Sequence, residues 1–279
     1  MNRLLRISTA LLIASTAFGQ TTIDTVKNHE LSPVTIEGVR ILTDIKRLEP
    51  IQGTYIYAGK KTEVIDMTQK NIAMTEKYGR QIFAKIPGVF VYDMDGTGNQ
   101  LNISTRGLDP HRGWEFNIRK DGILTNSDMY GYPASHYNIP MEAVERIELV
   151  RGSGSLQYGA QFGGMLNYIS KQPDTTKKIT FESINTIGSY GLVSTYNGAS
   201  GKIGKFRYST WVNKKWITCY RENSDAKYDA EAVSLFYDAT KNLHIKLEWT
   251  HSNYIIHLAG PLTDNMFQAN PKMSTRSRN

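Results

Sequence analysis

The stretch Glu148–Pro173, ELVRGSGSLQYGAQFGGMLNYISKQP, follows an apolar-alternating strand and holds five glycines between Gly152 and Gly164. Glycine-rich turns after strands often cradle phosphates, so its reading separates a nucleotide-binding fold from other folds. A P-loop places lysine and a hydroxyl directly after its second glycine, because the lysine reaches the phosphates. Gly154 and Gly159 have the glycine spacing, but Ala160 and Gln161 follow. The dinucleotide pattern requires a third glycine where Gln157 stands. Both nucleotide readings fail, and the glycines need another explanation.

Other chemistry is equally hard to place. Asp93–Asn99, DMDGTGN, suggests a calcium loop, but the twelfth position counted from Asp93 is Ser104 where a glutamate is required. A solvated turn is the favoured reading. The six histidines show no zinc spacing. No G-x-S-x-G motif and no nucleophile–base pair can be argued, so neither an enzyme nor a bound cofactor or metal is expected.

Composition points outward from the cytoplasm. Arg3 and Arg6 precede the apolar run ISTALLIASTAF, and Ala17-Phe18-Gly19 supplies small residues at the two positions a signal peptidase reads. Residues 1–19 therefore read as a secretory signal peptide cleaved after Gly19. The run is too short to span about 30 Å of hydrocarbon. The formal charge of +7 falls to +5 once that segment is removed, and no Lys/Arg block of the nucleic-acid kind appears. Cys219 is the single cysteine, which excludes an intramolecular disulfide. No later segment reaches eighteen consecutive apolar residues, so entry into a membrane would require a β-barrel. The 16 tyrosines suit surfaces that are apolar at one end and wet at the other, and equally suit plain sheet.

Three regions follow the leader. Residues 20–60 are polar without a sustained period; Pro33 blocks a helix, and Val34, Thr35 and Ile36 favour an extended segment. Such a segment near a free end is suited to adding to a partner's sheet edge, or is an ordinary linker. Residues 61–173 read as a compact mixed domain. TEVIDMTQ is a strand and turn. EKYGRQIFAKIPGV is a short helix with Ile82, Phe83 and Ile86 on one face, stopped before Pro87 and Gly88. VFVYDMDGTGNQLNISTRG reads as two strands around a turn, and WEFNIRKDGILTN as a hairpin turning at Asp121-Gly122. MEAVERIELVRG gives one helical turn and then a strand. From Pro173 onward, segments of about ten residues alternate with period two. In the last, Leu243, Ile245, Leu247 and Trp249 face one way, and His244, Lys246, Glu248 and Thr250 the other. That alternation fits a transmembrane strand or a soluble antiparallel sheet, and the leader favours the outer membrane.

Taken in this order, the leader, the extended box, the mixed domain and the barrel-type strands resemble the TonB-dependent outer-membrane receptors. The likeness is to the ferric-citrate type of Bacteroidetes-like bacteria. QIFAKIPGVFV, NISTRGLDP and IELVRGSGSLQYGAQFGGMLNYISK resemble the family's plug signatures. The resemblance implies an α+β plug domain over 61–173, followed over 174–279 by the first antiparallel strands of a transmembrane β-barrel. It implies a receptor and transporter for an iron chelate, ferric citrate or a siderophore, energised by TonB and its inner-membrane complex and seated in outer-membrane lipid. It places a TonB box at Ser32, Pro33, Val34, Thr35, Ile36, Glu37 and Gly38. Arg106 and Arg151 match plug arginines that lock onto glutamates of the barrel wall; a guanidinium buried there needs carboxylates. Outward plug loops supply substrate-binding candidates: Asn99, Gln100, His111, Arg112, Trp114, Tyr130, Tyr132 and His136. The glycines of 152–164 then serve positive φ and close backbone approach in a crowded lumen.

A barrel of this class has about 22 strands. The residues after the plug suffice for about five, three outward and two inward, at ~10 residues each. The chain therefore reads as the front part of a receptor, a truncated fragment. Two alternatives stay open: a receptor of the same design for another cargo, such as cobalamin or an oligosaccharide, and an exported chelate-binding plug protein without a barrel. Residues 1–279 alone are expected not to support energy-dependent iron uptake in a receptor-null strain; recovered uptake would contradict the fragment reading.

Overall fold

The computed structural model describes residues 45–68, 79–83, 86–93, 101–111, 115–126, 138–159 and 162–277. The expected leader and the TonB box Ser32–Gly38 lie outside them. Among the described residues no helix is long and apolar enough to cross a membrane, which says nothing of strands.

Strands β1 (Ile45–Lys46), β2 (Ile51–Gln52), β3 (Tyr55–Ile56) and β4 (Lys61–Asp66) come first. A short helix, Gly79–Phe83, precedes β5 (Val89–Asp93), β6 (Leu101–Thr105), β7 (Phe116–Lys120) and β8 (Ile123–Leu124). A 3-10 turn, Met141–Ala143, leads into β9 (Val144–Arg151), and a second, Gly152–Tyr158, leads toward β10 (Gly164–Ser170). Six of these strands form one mixed sheet in the order β1-β4-β9-β10-β7-β8. Only the β10–β7 pair is parallel. The structure carries this sheet back to Ile45, ahead of the composition break at 61, because Ile45 and Lys46 pair with Ile65 and Val64. The β2–β3 hairpin docks on the second 3-10 turn. The Gln157 amide bonds both backbone groups of Ile56, and Tyr55 stacks on Tyr158 with ring centroids 4.6 Å apart.

Five longer strands follow: β11 (Thr180–Gly188), β12 (Leu192–Ile203), β13 (Phe206–Ile217), β14 (Ala226–Asp238) and β15 (His244–Ile256). They form an antiparallel meander in chain order, here called the wall. Period-two alternation decides its two faces. In β14, Ala226, Tyr228, Ala230 and Ala232 are buried, while Lys227, Val233 and Leu235 are exposed. The buried face covers the plug, and one apolar core runs through both. Ile82, Phe83, Ile86, Phe116, Leu149 and Leu166 of the plug share it with Tyr196, Trp211 and Tyr228 of the wall. Small and large residues alternate across that face: Trp211 pairs in register with Ala232. Each fully buried large side chain contributes about 1.5–3 kcal/mol.

The glycine stretch closes the β9–β10 hairpin. Gly163 donates to the Glu115 carbonyl at 2.7 Å, and a Cβ there would meet that oxygen and the Phe116 ring. Gly164 has φ +128, and a Cβ on it would strike the Val150 carbonyl. These two positions hold the β9–β10 turn against β7, and nothing larger fits without moving backbone. Gly164→Ala is expected to destabilise the plug by roughly 2 kcal/mol or more. The check is the urea midpoint of the detergent-solubilised chain; an unchanged midpoint would remove the packing argument.

Candidate functional site

Two places bring chemistry together: the seam between plug and wall, and the end of the wall that carries segments 189–191, 218–225 and 257–277.

At the seam, the β7–β8 hairpin turns at Asp121 (φ 49) and Gly122 (φ 82), as the Asp-Gly dipeptide predicts. This aims Lys120 and Asp121 at β15. Lys120 pairs with Glu248, and Lys246 donates to Asp121 at 2.9 Å. Burial acts against ionised Asp121. The N–H and hydroxyl of Ser170, with the Lys246 ammonium, outweigh it and hold that carboxyl below the usual carboxylate range. A neutral contact lies along the same seam, where the Tyr228 hydroxyl donates to the Asn138 carbonyl at 2.9 Å.

At the far end, a cavity of about 620 Å³ opens between plug strand β5 and the wall. Tyr92 of the plug and Tyr190, Tyr220, Arg221, His257 and Arg276 of the wall segments line it. Three residues here hold left-handed backbone without being glycine: Tyr190 (φ 57), Cys219 (φ 59) and Asn223 (φ 49). Such conformations each cost of order 1–3 kcal/mol and persist where surrounding contacts impose them. The imposing contacts are visible. Thr218 donates through its N–H to the Tyr190 carbonyl at 2.9 Å. Arg221 donates to the carbonyls of Gly260 and Met273 at 2.5 and 2.6 Å. The Asn223 amide donates to the Arg276 carbonyl at 3.1 Å. Arg221 thus commits Nη1 and Nη2 to backbone carbonyls and shapes the cavity. Arg276 sits exposed at the rim. His257 Nδ1 lies 3.1 Å from an Asp225 carboxylate oxygen. Tyr190 and Tyr220 meet edge to face at 5.7 Å. The lining offers aromatic faces and positive charge, the chemistry that receives a large anionic or aryl-bearing solute.

The sequence-derived residues fall elsewhere or outside. Arg151 ion-pairs with Glu63 on the neighbouring strand β4 and donates to the Pro87 carbonyl at 3.0 Å. Its carboxylate among the described residues is thus within the plug. Pairing of β4 with β9 sets Arg151 opposite Lys61 and diagonal to Glu63 on the same face of the sheet, so the guanidinium reaches that carboxylate across one step of the ladder. Arg106, at φ 59 in the turn after β6, donates to the Phe162 carbonyl, and Thr105 bonds Gly163 O at 3.0 Å beside it. These contacts fasten the glycine stretch from the opposite side. The His111 backbone N–H donates to the Asp109 carboxylate at 2.8 Å, which caps that turn, and His111 does not line the cavity. Asn99, Gln100, Arg112, Trp114, Tyr130, Tyr132 and His136 lie outside the described residues. Sequence reasoning missed the cavity residues, whose loops carry no periodic signal. It did place Lys246 and Glu248 together on the polar face of β15, and two opposite charges on that face were the available clue.

Residues 60–165 match the family model of the TonB-dependent Receptor Plug Domain. The fold also matches the unliganded ferric citrate transporter FecA with a TM-score of 0.62 at 19% identity, over 78% of this chain and 34% of that one. Vitamin B12 transporter BtuB of Photobacterium profundum is 28% identical over 170 residues, 60% of this chain and 26% of the relative. The probable TonB-dependent siderophore receptor PirA of Acinetobacter baumannii is 29% identical over 132 residues, 43% of this chain and 17% of the relative. Residues 60–165 are thus a TonB-dependent receptor plug domain, and antiparallel strands that share the fold of a receptor barrel follow it. The chain spans about a quarter or less of the length of these curated relatives.

Arg151 and Glu63 are both largely shielded, at 18% and 17% side-chain exposure. Glu63→Gln leaves the guanidinium without its carboxylate and should lower plug stability by roughly 2–4 kcal/mol. A urea midpoint in detergent equal to wild type would show that Arg151 is neutralised by another group.

Proposed function

We propose that this chain forms the plug and first wall strands of an outer-membrane receptor that binds an iron chelate, ferric citrate or a siderophore, and passes it inward under force from TonB. The observation that carries the reading is the cavity between Tyr92 of the plug and the wall segments. It combines three tyrosines with Arg221, His257 and Arg276. A bulky, negatively charged chelate meets both needs of such a lining. The fold likeness to a ferric citrate transporter and the kinship with a siderophore receptor support the same cargo class.

The remaining parts of the proposal follow from the receptor's working cycle. The signal peptide delivers the chain across the inner membrane, with cleavage after Gly19. Segment Ser32–Gly38 is the box that TonB grips. Its route to the plug runs through β1 and the β2–β3 hairpin, which Gln157 and Tyr158 hold to the glycine stretch. Arg106 and Arg151 are proposed as the plug–barrel lock that meets glutamates of the wall, with Phe162 and Glu63 holding them from the plug side. Asn99, Gln100, His111, Arg112, Trp114, Tyr130, Tyr132 and His136 are proposed to complete the binding surface from the plug. Transport is binding followed by rearrangement of the plug, with no bond made or broken in the cargo. A second reading, cobalamin as cargo, is favoured by the BtuB relatives.

Titration of the detergent-solubilised chain with ferric citrate, a catecholate ferric siderophore and cyanocobalamin, read by tryptophan and tyrosine fluorescence, separates the readings. An anionic chelate is expected to bind tightest, and Arg276→Gln to weaken it about tenfold through loss of a charged contact. Tightest binding by cyanocobalamin, unaffected by Arg276→Gln, would replace the chelate reading with the cobalamin one. Recovery of the chain outside the outer-membrane fraction would favour a barrel-less binding protein.

A further inference from the structure

Four charges, two from the plug and two from the wall, close into a ring across the seam. Lys120, the last residue of β7, pairs with Glu248 of β15. Lys246, on the same face of β15, reaches back to Asp121 at 2.9 Å. Lys246 and Glu248 meet each other at 2.9 Å, and Lys120 lies 3.7 Å from Asp121. The signs alternate around the ring, and its two cross-seam pairs run in opposite senses. A serine of its own body sets each carboxylate. Ser170 donates through its N–H and hydroxyl to Asp121 at 2.8 and 2.7 Å, and Ser234 donates its hydroxyl to Glu248 at 3.0 Å. The Lys246 ammonium also lies 5.6 Å from the Phe236 ring centroid. Side-chain exposures of 9%, 16%, 32% and 21% put the ring between solvent and core.

We propose that this ring is a latch that fixes the plug's β7–β8 hairpin at one register along the fifth wall strand, and that it governs position more than stability. Register follows from the spacing. Same-face residues recur every second position along a strand. A slip by one such step sets Asp121 against Glu248, or, in the other direction, Lys120 against Lys246. Either slip brings like charges together. Stability gains little, because partly buried charges surrender hydration for the attraction they receive. Lysine suits a contact that must also open. Its compact, strongly hydrated ammonium regains water on separation, whereas a bidentate guanidinium fork is committed to one geometry. The serine-held carboxylates stay aimed when the halves part, so the ring can re-form in the same place. Arg106 and Arg151 bond within the plug, so among the described residues the ionic crossings between plug and wall are this ring and the single Lys171–Glu182 pair at 2.6 Å, which sits at the start of the wall beside the covalent connection.

The test is amide hydrogen exchange, read by mass spectrometry on the full detergent-solubilised chain; it needs no cargo and so is separate from the receptor reading. Glu248→Gln and Lys120→Met are each expected to speed exchange of the peptide covering β7–β8 at least tenfold, leaving β12–β14 unchanged. The double variant should fall well short of the product of the two effects, because both changes break one contact. Replacement of all four, as Lys120→Met, Asp121→Asn, Lys246→Met and Glu248→Gln together, should keep the wall protected, since no charge is left stranded. Lys214→Met, which breaks the exposed Lys214–Asp229 pair on the other face of the wall, serves as control and should change nothing at the hairpin. Single-variant effects under twofold, multiplicative effects in the double variant, or loss of protection across β12–β14 would each overturn the latch.

Discussion

The apolar contact between the plug's mixed sheet and the inner face of the wall is the constraint on which the rest depends. One continuous core holds Phe83, Phe116 and Leu166 from the plug with Tyr196, Trp211 and Tyr228 from the wall. The plug covers the wall's inner face, where Tyr196, Trp211, Tyr228 and the alanines of β14 are buried, while the other face, with Val212, Leu235, Leu247 and Trp249, is exposed. Once the two are pressed together, every polar group at the margin has to find a partner or remain wet. The Tyr228 hydroxyl finds the Asn138 carbonyl. The lysines and carboxylates of the seam find one another. The ion pairs are thus a consequence of the apolar contact, and they add the positional information that a greasy surface lacks.

The glycine stretch that suggested a phosphate loop has a mechanical place in this scheme. It lies between the plug's central strands and is bonded from both sides. Thr105 and Arg106 reach Gly163 and Phe162, Gly163 reaches Glu115, and Gln157 and Tyr158 receive the β2–β3 hairpin. The stretch joins the N-terminal hairpin, the β5–β6 pair and the β7 edge in one node. Its small residues are set by how closely those three backbones approach, most tightly at Gly163 and Gly164.

Much of the fold was legible because it is written in local periods. The Asp121-Gly122 turn, the single helical turn before Val144, the paired strands around residues 94–100 and all five wall strands follow from turn chemistry and period-two alternation. The β1 and β2–β3 pieces were not legible, since two-residue strands carry no period and exist only because a neighbouring edge and an aromatic stack receive them. The contact of Arg151 with Glu63 was not legible for a related reason. Pairing of β4 with β9 joins residues 88 positions apart, and no local pattern announces that Glu63 stands beside Arg151. The cavity escaped because Tyr92, Tyr190, Arg221 and Arg276 converge from segments far apart in the chain.

By itself, the sequence determined the class of protein. It ruled out nucleotide loops by the residues that follow Gly159, placed the strands, and split each wall strand into an apolar and a polar face. Those properties depend on neighbours two to five positions away, and a linear reading reaches them. Tertiary structure alone decided which charges meet. Lys120 and Glu248 are separated by 128 positions and Asp121 and Lys246 by 125, and whether they attract or stay solvated depends on the plug's seat against β15. Coulomb attraction acts through space and falls with distance and with water between the charges. Only a folded chain fixes both of those quantities.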